Sequence, residues 1–330
     1  MDDHNYRKIL ITGGAGYIGS VLTGLLLSSG FKVRVIDNLS YGGESLLGYF
    51  PHPDFEFIKG DICSSNDVDE ALDGITGVVH LAAIVGDPAC KKNPELATKI
   101  NKIASEMLCE KAIDAGVKRF VFVSTCSNYG KMDKADVYVD ENSPLNPISH
   151  YAELKVGFEN YLMASTNENF TPVCLRFATA YGLSPRPRFD LTVNEFCREL
   201  FLGRELGVYG EQFWRPYCHT RDLANACRLA LMASDDIVAH QTYNVGNTNE
   251  NYTKKDIVDL ILKRLPHRKD IVKFVAKDED PRDYRVNCDK IKKALRFIPV
   301  YTVKDGIDEL VNAISCGIIA NPDNRAYRNL

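Results

Sequence analysis

Several features that mark other classes of protein are missing from this sequence of 330 residues. Lysine and arginine number 40 against 44 acidic residues, so there is no basic surplus to neutralise a nucleic-acid backbone. No apolar run approaches the roughly 20 residues that span a bilayer. The polar start of the chain also lacks the apolar core and cleavage site of a secretory signal. We therefore expect a cytoplasmic protein with neither a nucleic-acid nor a membrane partner.

The cysteines show no pattern typical of a metal site. There are 10 of them, and none stands in a C-x-x-C motif or near a histidine at zinc-binding spacing. We predict reduced thiols and no metal. Internal repeats and low-complexity tracts are absent as well. The remaining composition, 45% hydrophobic and 25% charged, is that of a globular α/β protein with one large unit or a main domain and a smaller partner.

Short apolar runs alternate with helical patterns along the first half of the chain. Buried strands are predicted at residues 7–11, 32–36, 55–58, 77–81, 119–123 and 172–177. Helices are predicted at residues 17–29, 94–115 and 151–165. This alternation predicts an α/β fold with a Rossmann-type doubly wound parallel sheet. Beyond it, we assign residues 178–330 mainly to a smaller C-terminal α/β substrate lobe, from which one or two segments can return to the main sheet.

A glycine cluster follows the first predicted strand. Gly13, Gly16 and Gly19 let the backbone turn sharply and approach a pyrophosphate at the start of a helix. Asp37 ends the second strand, where its carboxylate can accept both hydroxyls of an adenosine ribose and repel a 2′-phosphate. The pattern therefore favours NAD over NADP and makes residues 1–177 the NAD-binding domain.

Other residues near this turn give weaker signals. Asp61 follows the third strand, where it can meet the adenine amino group. Ala82 and Ala83 follow the fourth strand and leave room for the cofactor. Tyr17 and Ile18, beside the glycines, fit a cofactor contact or plain helix packing equally well.

Tyr151 and Lys155 are the candidates for proton transfer. Four residues apart on a predicted helix, they project from one face. An ammonium and a cationic nicotinamide ring would stabilise the phenolate and bring the pKa of the tyrosine toward neutrality. Thr125 ends the fifth strand at the carboxyl edge of the sheet, where ligands bind, and can share the substrate's proton. His80 is interpreted as a buried histidine without a catalytic role.

These motifs resemble those of the extended short-chain dehydrogenase/reductases of the nucleotide-sugar epimerase/dehydratase family, over essentially the whole chain. The matching segments are TGGAGYIG at 12–19, DNL at 37–39, GDI at 60–62, HLAA at 80–83, STCSNYG at 124–130, YAELK at 151–155 and LRF at 175–177. The resemblance implies a tightly held NAD, with Thr125, Tyr151 and Lys155 as the catalytic group. It also implies a homodimer that forms through helices 94–115 and 151–165.

The same resemblance implies further binding residues. On the cofactor side these are Asn38, Ile62, Leu81, Asn101, Ser124 and Phe177, with Phe177 near the nicotinamide. On the substrate side, Arg215 and Arg282 would clamp the diphosphate, although Arg285 is close enough to replace Arg282. The other implied substrate residues are Thr125, Ser127, Thr179, Arg186 and Arg188. Thr179 stands where many relatives have an asparagine, and the segment with Arg186 and Arg188 resembles enzymes of GDP-linked sugars or a solvated loop.

The expected reaction is oxidation at C4 of a nucleotide-diphosphate sugar, by a 4-epimerase or a net C4 dehydrogenase. Relatives that dehydrate usually carry acidic residues after the strand-end hydroxyl, where this chain has Cys126 and Ser127. A 4,6-dehydratase is therefore a weaker alternative. In a 3- or 5-epimerase, Cys126 would remove a proton beside the ketone. A steroid- or flavonoid-like dehydrogenase and a non-catalytic NAD-binding sensor also stay open.

Overall fold

The computed structural model describes residues 8–131, 137–277 and 282–329. The strands are β1 (Lys8–Thr12), β2 (Lys32–Asp37), β3 (Phe55–Lys59), β4 (Gly77–His80), β5 (Arg119–Thr125), β6 (Tyr138–Val139), β7 (Thr171–Phe177), β8 (Thr179–Tyr181), β9 (Leu206–Tyr209), β10 (Trp214–His219), β11 (Gln241–Val245), β12 (Asn251–Thr253), β13 (Val272–Val275) and β14 (Arg285–Val286). Residue 7, the predicted start of the first strand, lies outside the described residues.

The α-helices are α1 (Tyr17–Ser28), α2 (Ser65–Leu72), α3 (Asp87–Lys92), α4 (Pro94–Thr98), α5 (Ser105–Asp114), α6 (His150–Met163), α7 (Thr192–Phe201), α8 (Thr220–Met232), α9 (Asp235–Val238), α10 (Lys254–Arg264), α11 (Asp289–Leu295) and α12 (Val303–Ser315). A π-helical segment, Lys99–Ala104, joins α4 to α5. Short 3₁₀ turns occur at Glu44–Tyr49, Cys126–Tyr129, Pro266–Ile271 and Arg325–Tyr327. No helix among the described residues is long and apolar enough to cross a membrane.

Seven strands form the main sheet in the order β11-β7-β5-β4-β1-β2-β3, and every neighbouring pair is parallel. The chain runs outward from β1 to β3 and then crosses to β4 on the other side of β1. This reversal is the topological switch point of a doubly wound sheet, and ligands bind at the carboxyl ends of the strands beside it. The predicted Rossmann-type fold class is confirmed.

Apolar layers cover both faces of the main sheet. One layer contains Leu22 and Leu26 of α1 and Leu223 of α8, and the other contains Leu108 of α5 and Phe158 of α6. Because helices shield both faces, the central strands are apolar on both sides, and β5 and β7 are buried almost throughout. The sheet is therefore a rigid support for the residues at its carboxyl edge.

The predicted helix at 94–115 is interrupted in the structure by the π-helical segment. The Ser105 hydroxyl donates to the carbonyl of Ile100, five residues earlier, at 3.1 Å. Asn101 meanwhile bonds to the backbone of Ile84 across the loop after β4. The first bond is local to the wide turn and the second is a tertiary contact, and a periodicity argument cannot reveal either.

Residues beyond 177 build a second core and also return to the first. Val193, Leu200, Ile257, Ile307 and Leu310 belong to a separate apolar cluster formed by α7, α10 and α12. In contrast, β11 pairs with β7 at the edge of the main sheet, and α8 belongs to the apolar layer that contains α1. The smaller sheets are β12-β10-β8, β13-β9 and β14-β6. The division of the chain at residue 177 stays a prediction.

Candidate active site

The glycine turn after β1 has the shape that a bound pyrophosphate requires. Gly13 adopts a φ of +73°, and a Cβ there would lie 2.9 Å from the Cα of Ala82. The Thr12 hydroxyl accepts the N–H groups of Leu81 and Ala82, each at 3.2 Å, and so holds the two strand ends together. Gly16 precedes α1 and no side chain caps the helix. Its first N–H groups are therefore available to an anion, which fits the diphosphate of a dinucleotide.

Asp37 is held in place at the end of β2. Its carboxylate accepts the N–H of Ala15 at 3.0 Å and that of Leu39 at 2.8 Å. Burial raises the pKa of this carboxyl, although those two hydrogen bonds oppose the rise. The first bond ties the carboxylate to the glycine turn itself, so its position fits the predicted contact with the adenosine ribose.

Among the neighbouring cofactor candidates, some side chains shape the loops after the strands and others pack inside the fold. The Asp61 carboxylate accepts the N–H of Cys63 at 2.9 Å, and buried Ile62 lies between these two residues in sequence. Asn38 is exposed and its side chain accepts the N–H of Ser40 at 3.1 Å, which shapes the loop after β2. The Tyr17 hydroxyl instead donates to the carbonyl of Gly182 at 2.7 Å, and Ile18 packs on the main core. Both of these side chains thus have packing partners in the fold, and their contact with the cofactor stays a prediction.

Thr125, Tyr151 and Lys155 occupy adjoining elements. Thr125 ends β5 and lies in register with Phe177, the last residue of β7. Ser149 precedes α6 and its hydroxyl accepts the N–H of Ala152 at 3.3 Å, which starts the helix just before Tyr151. The Lys155 ammonium donates to the carbonyl of Val123 on β5 at 2.9 Å. It also lies 6.0 Å from the centre of the Tyr151 ring.

Burial sets the charge of this group. It raises the pKa of Tyr151, and it lowers the pKa of Lys155 to about 8. The Lys155 ammonium is still charged at neutral pH, but burial keeps the Tyr151 phenol protonated, so a further positive charge would favour the phenolate. The oxidised nicotinamide of NAD carries such a charge. This electrostatic setting fits a phenol that becomes more acidic once the cofactor is bound.

A buried ion pair joins α6, the helix that carries Tyr151 and Lys155 and is called the catalytic helix below, to β7. Glu159 lies one turn after Lys155, and its carboxylate accepts both Nε and Nη2 of Arg176 on β7. Arg176 also donates to the Tyr129 hydroxyl at 2.9 Å, and that hydroxyl donates to Asn244 at 2.7 Å. Glu159 was not among the predicted site residues. Its spacing from Tyr151 and Lys155, four residues at each step, is the signal that would have identified it.

Ser124 belongs to the same supporting network. Its hydroxyl accepts a bond from the Asn128 amide at 3.1 Å, and that amide also contacts Glu159 at 3.4 Å. Ser124 is almost fully buried, at 2% exposure. Its side chain therefore braces the strand end, and Thr125 next to it is the one that is partly exposed.

The structure contradicts a proton-transfer role for Cys126. Its side chain is 1% exposed and belongs to the main core, and its thiol donates to the carbonyl of Arg176 at 3.2 Å. Burial raises the pKa of this thiol, so it cannot serve as a thiolate base. Ser127 is partly exposed and its hydroxyl accepts a bond from the Tyr284 hydroxyl at 3.4 Å.

Arg215 and Arg282 both reach residues of the crevice. The Arg215 guanidinium lies 5.5 Å from the ring of Tyr284. Arg282 forms an ion pair of 3.1 Å with Asp87, which follows β4. Asp87 also accepts the hydroxyl of Ser149 at 2.6 Å, so one carboxylate joins the start of the catalytic helix to Arg282. Tyr284 and Asp87 belong to no motif that would have revealed them in the sequence.

The other substrate candidates have contacts of their own. Arg188 forms an ion pair of 2.6 Å with Asp190. Arg186 packs over the ring of Tyr41, in the loop after β2, with 4.3 Å between guanidinium carbon and ring centre. That position is on the cofactor side, which disagrees with the predicted contact to substrate. Arg285 lies between the rings of Tyr138 and Trp214, and Thr179 begins β8.

Two buried polar residues fix the loop after β4, which includes Leu81, Ala82 and Ala83. The His80 ring bonds to the hydroxyls of Thr12 at 2.8 Å and Ser105 at 2.9 Å, and burial lowers its pKa to about 3. It is thus a neutral histidine with both nitrogens bonded. The Asn101 amide bonds to the N–H and the carbonyl of Ile84, each at 2.8 Å. Asn101 therefore acts on the cofactor side by shaping this loop.

Within residues 8–131, 137–277 and 282–329, no three histidine, cysteine or acidic side chains converge to hold a metal ion. All 10 cysteines are free thiols, and Cys316 is the exposed one.

The chain is similar to known proteins in both sequence and fold. Residues 9–246 match the model of the NAD dependent epimerase/dehydratase family. The dTDP-glucose 4,6-dehydratase of Streptomyces niveus is 31% identical over 333 aligned positions, which cover 97% of this chain and 94% of that protein.

Two solved structures share the fold over nearly their whole length. The dTDP-glucose 4,6-dehydratase of Streptomyces venezuelae, solved with NAD bound, superposes with a TM-score of 0.84 at 28% identity, covering 97% of this chain and 98% of that one. The UDP-glucose 4-epimerase of Thermotoga maritima, solved with UDP-glucose, has a TM-score of 0.82 at 27% identity, covering 94% of this chain and 99% of that one.

Proposed function

Because the chain belongs to the NAD-dependent epimerase/dehydratase family, we propose that it oxidises C4 of a nucleotide-diphosphate sugar and acts as a 4-epimerase. It is an NAD-dependent enzyme of the epimerase/dehydratase type that acts on nucleotide sugars, and its relatives are named as enzymes of dTDP-glucose and UDP-glucose. Its cofactor is NAD, which solved relatives contain. The assignment as a 4-epimerase depends on the residues that surround Thr125 and Tyr151.

Three residues of the chain share the proton transfer. Bound NAD supplies the acceptor for the C4 hydrogen. Tyr151 takes the proton of the C4 hydroxyl, and Lys155 stabilises the phenolate from the same face of α6. Thr125 donates a hydrogen bond to the C4 oxygen and so helps to orient the sugar. The keto sugar then rotates in the crevice so that its other face meets the cofactor. Tyr151 returns the proton to the C4 oxygen as C4 is reduced from that face.

The observation that carries the 4-epimerase assignment is the pair of side chains after Thr125. Elimination of water from the sugar needs an acid and a base near C5 and C6. At this place the chain has the buried thiol of Cys126 and the Ser127 hydroxyl, which is bonded to Tyr284. Neither is an acid or base at neutral pH, and this argues against 4,6-dehydration even though the relatives from Streptomyces niveus and Streptomyces venezuelae are dehydratases by name.

The charged residues of the crevice favour a substrate with a diphosphate. Arg215 and Arg282 lie next to Tyr284 and Asp87, both of which adjoin the catalytic group. A guanidinium suits a diphosphate because it donates two parallel hydrogen bonds. This charge argues against a steroid- or flavonoid-like substrate, and the intact Tyr151 and Lys155 pair argues against a non-catalytic sensor. We further propose that residues 1–177 mainly hold the cofactor and residues 178–330 mainly hold the sugar.

A homodimer in the cytoplasm completes the proposal. Large apolar side chains are exposed on the helices predicted to form the interface: Leu96 at 40%, Ile103 at 58% and Tyr161 at 37%. Exposed apolar side chains on these helices support a protein contact there. The many free thiols suit a reducing compartment. Light scattering tests the assembly, since a monomer at micromolar concentration would contradict it.

A substrate panel tests the reaction. The enzyme is incubated with UDP-, GDP-, CDP- and dTDP-linked sugars while NADH absorbance is followed and products are identified by NMR. We expect the C4 epimer of one substrate to form with no net gain of NADH. Accumulating NADH would instead indicate net oxidation, and a 4-keto-6-deoxy sugar would indicate dehydration; either result would overturn the 4-epimerase assignment.

A further inference from the structure

Arg186 lies where the C-terminal part of the chain meets the cofactor side of the crevice. The Ser184 hydroxyl donates to the carbonyl of Tyr17 at the start of α1, at 2.6 Å, which anchors this segment beside the glycine turn. From there the Arg186 guanidinium stacks on Tyr41 at 4.3 Å. Tyr41 follows Asp37 by four residues in the loop after β2. Arg186 therefore reaches the corner that holds the Asp37 carboxylate.

The hydrogen bonds of Arg186 leave part of its guanidinium unused. Nη1 donates to the side-chain oxygen of Asn329 at 2.5 Å, and Nη2 donates to the carbonyl of Arg328 at 3.2 Å. Both acceptors are neutral. The side chain is only 5% exposed, and within the described ranges its Nε has no hydrogen-bond partner. A buried donor without a partner costs about 1–3 kcal/mol, so this Nε–H is a donor that a bound ligand would satisfy.

The charge of Arg186 is also only partly balanced. Burial and the neighbouring charge of Arg188 lower the pKa of Arg186 to about 10, so the group is still a cation at neutral pH. Asp37 is near enough to interact with it electrostatically, but no ion pair between the two is found in the parts of the chain that the structure describes. An anion at this corner would therefore be attracted by Arg186 and repelled by Asp37.

We propose that Arg186 is a second specificity residue for the adenosine ribose of the cofactor, opposed in charge to Asp37. Asp37 accepts the ribose hydroxyls and excludes a 2′-phosphate, and Arg186 offers its free Nε–H to the same corner. Selectivity for NAD therefore depends on the Asp37 carboxylate, and the charge of Arg186 opposes it. If that carboxylate is removed, Arg186 becomes the phosphate-binding group and the chain accepts NADP.

Cofactor binding to the stripped protein tests this proposal and requires no knowledge of the sugar, so it can fail independently of the proposed reaction. The dissociation constants of NAD and NADP are measured by calorimetry for the wild type, Asp37→Ser and Asp37→Ser/Arg186→Gln. Asp37→Ser should bind NADP roughly ten- to hundredfold more tightly than the wild type does. The second substitution should remove most of that gain, because a neutral amide cannot balance the phosphate.

A matched control separates a local contact from the loss of one positive charge. Arg325 lies on the same C-terminal segment as Asn329, and its side chain is exposed. Asp37→Ser/Arg325→Gln should keep the NADP affinity of Asp37→Ser. Equal NADP affinity in Asp37→Ser with and without Arg186 would overturn the proposal. If Arg186→Gln prevents folding, Arg186→Lys in the same background decides, since an intermediate NADP affinity supports the contact and an unchanged one contradicts it.

Discussion

Replacing Lys155 with methionine should make the cofactor-free protein more stable at neutral pH while it abolishes activity. Lys155 is 5% exposed and its ammonium donates to the Val123 carbonyl at 2.9 Å, and within the described ranges of the chain no carboxylate forms an ion pair with it. Burial lowers its pKa from 10.5 to about 8. The folded state therefore holds this proton less tightly than the unfolded state does.

The sign and size of the effect follow from linkage. Below pH 8 the lysine is protonated in both states, and the folded state bears the full cost of the buried charge. Between pH 8 and 10.5 the unfolded chain binds more protons, so the free energy of unfolding rises with pH until the cost disappears. A difference of about 2.5 in pKa corresponds to roughly 3 kcal/mol. Loss of the hydrogen bond to Val123 offsets about 1 kcal/mol, which leaves a gain of about 2 kcal/mol for Lys155→Met.

Urea unfolding of the stripped protein at pH 7 and at pH values up to 10.5 measures this gain. Lys118 is an exposed lysine, and Lys118→Met should change the free energy of unfolding by less than about 0.5 kcal/mol. The gain of Lys155→Met should shrink as the pH rises from 8 to 10.5. A variant no more stable than the wild type at pH 7, or a gain independent of pH, would refute the reasoning.

Two further predictions concern the residues around the catalytic helix. Glu159→Leu leaves the buried Arg176 without its carboxylate and should cost roughly 3–5 kcal/mol in urea unfolding, whereas Glu159→Leu/Arg176→Met should recover most of it. A double variant as unstable as the single one would contradict this. Asp87→Asn keeps an acceptor for Ser149 but releases Arg282 from its ion pair, so initial rates should give a KM for the nucleotide sugar about two- to fivefold lower. A higher KM would show that Asp87 helps to bind the substrate.

Most of the main sheet could be predicted because its signals are local. β5 and β7 are apolar on both faces, and polar or glycine-rich segments mark the strand ends at the sheet edge. The edge strand β11 and the two-residue strands β6 and β14 could not be predicted in this way. Their pairing partners are distant in sequence, and a short strand carries too few residues to show a period.

The same difference between local and long-range signals applies to the site residues. Tyr151, Lys155 and Asp37 were found because one helix or one strand end sets their spacing. The contacts of Arg186 with Tyr41, and of Asp87 with Arg282, join segments that meet only in the folded chain. The alternative role of Cys126 arose for a related reason, since the sequence places it beside Thr125 but does not show that its side chain turns into the core.

The central claim is that the Tyr151 phenol accepts the proton as C4 is oxidised. Its most direct test compares the wild type with Tyr151→Phe on the nucleotide sugar that turns over, carrying deuterium at C4, with the NAD content of both proteins measured. We predict that the wild type forms the C4 epimer with deuterium retained, and that Tyr151→Phe keeps its NAD but loses at least about a hundredfold in kcat. Undiminished turnover by Tyr151→Phe, or loss of deuterium from C4 in the wild-type product, would contradict the account.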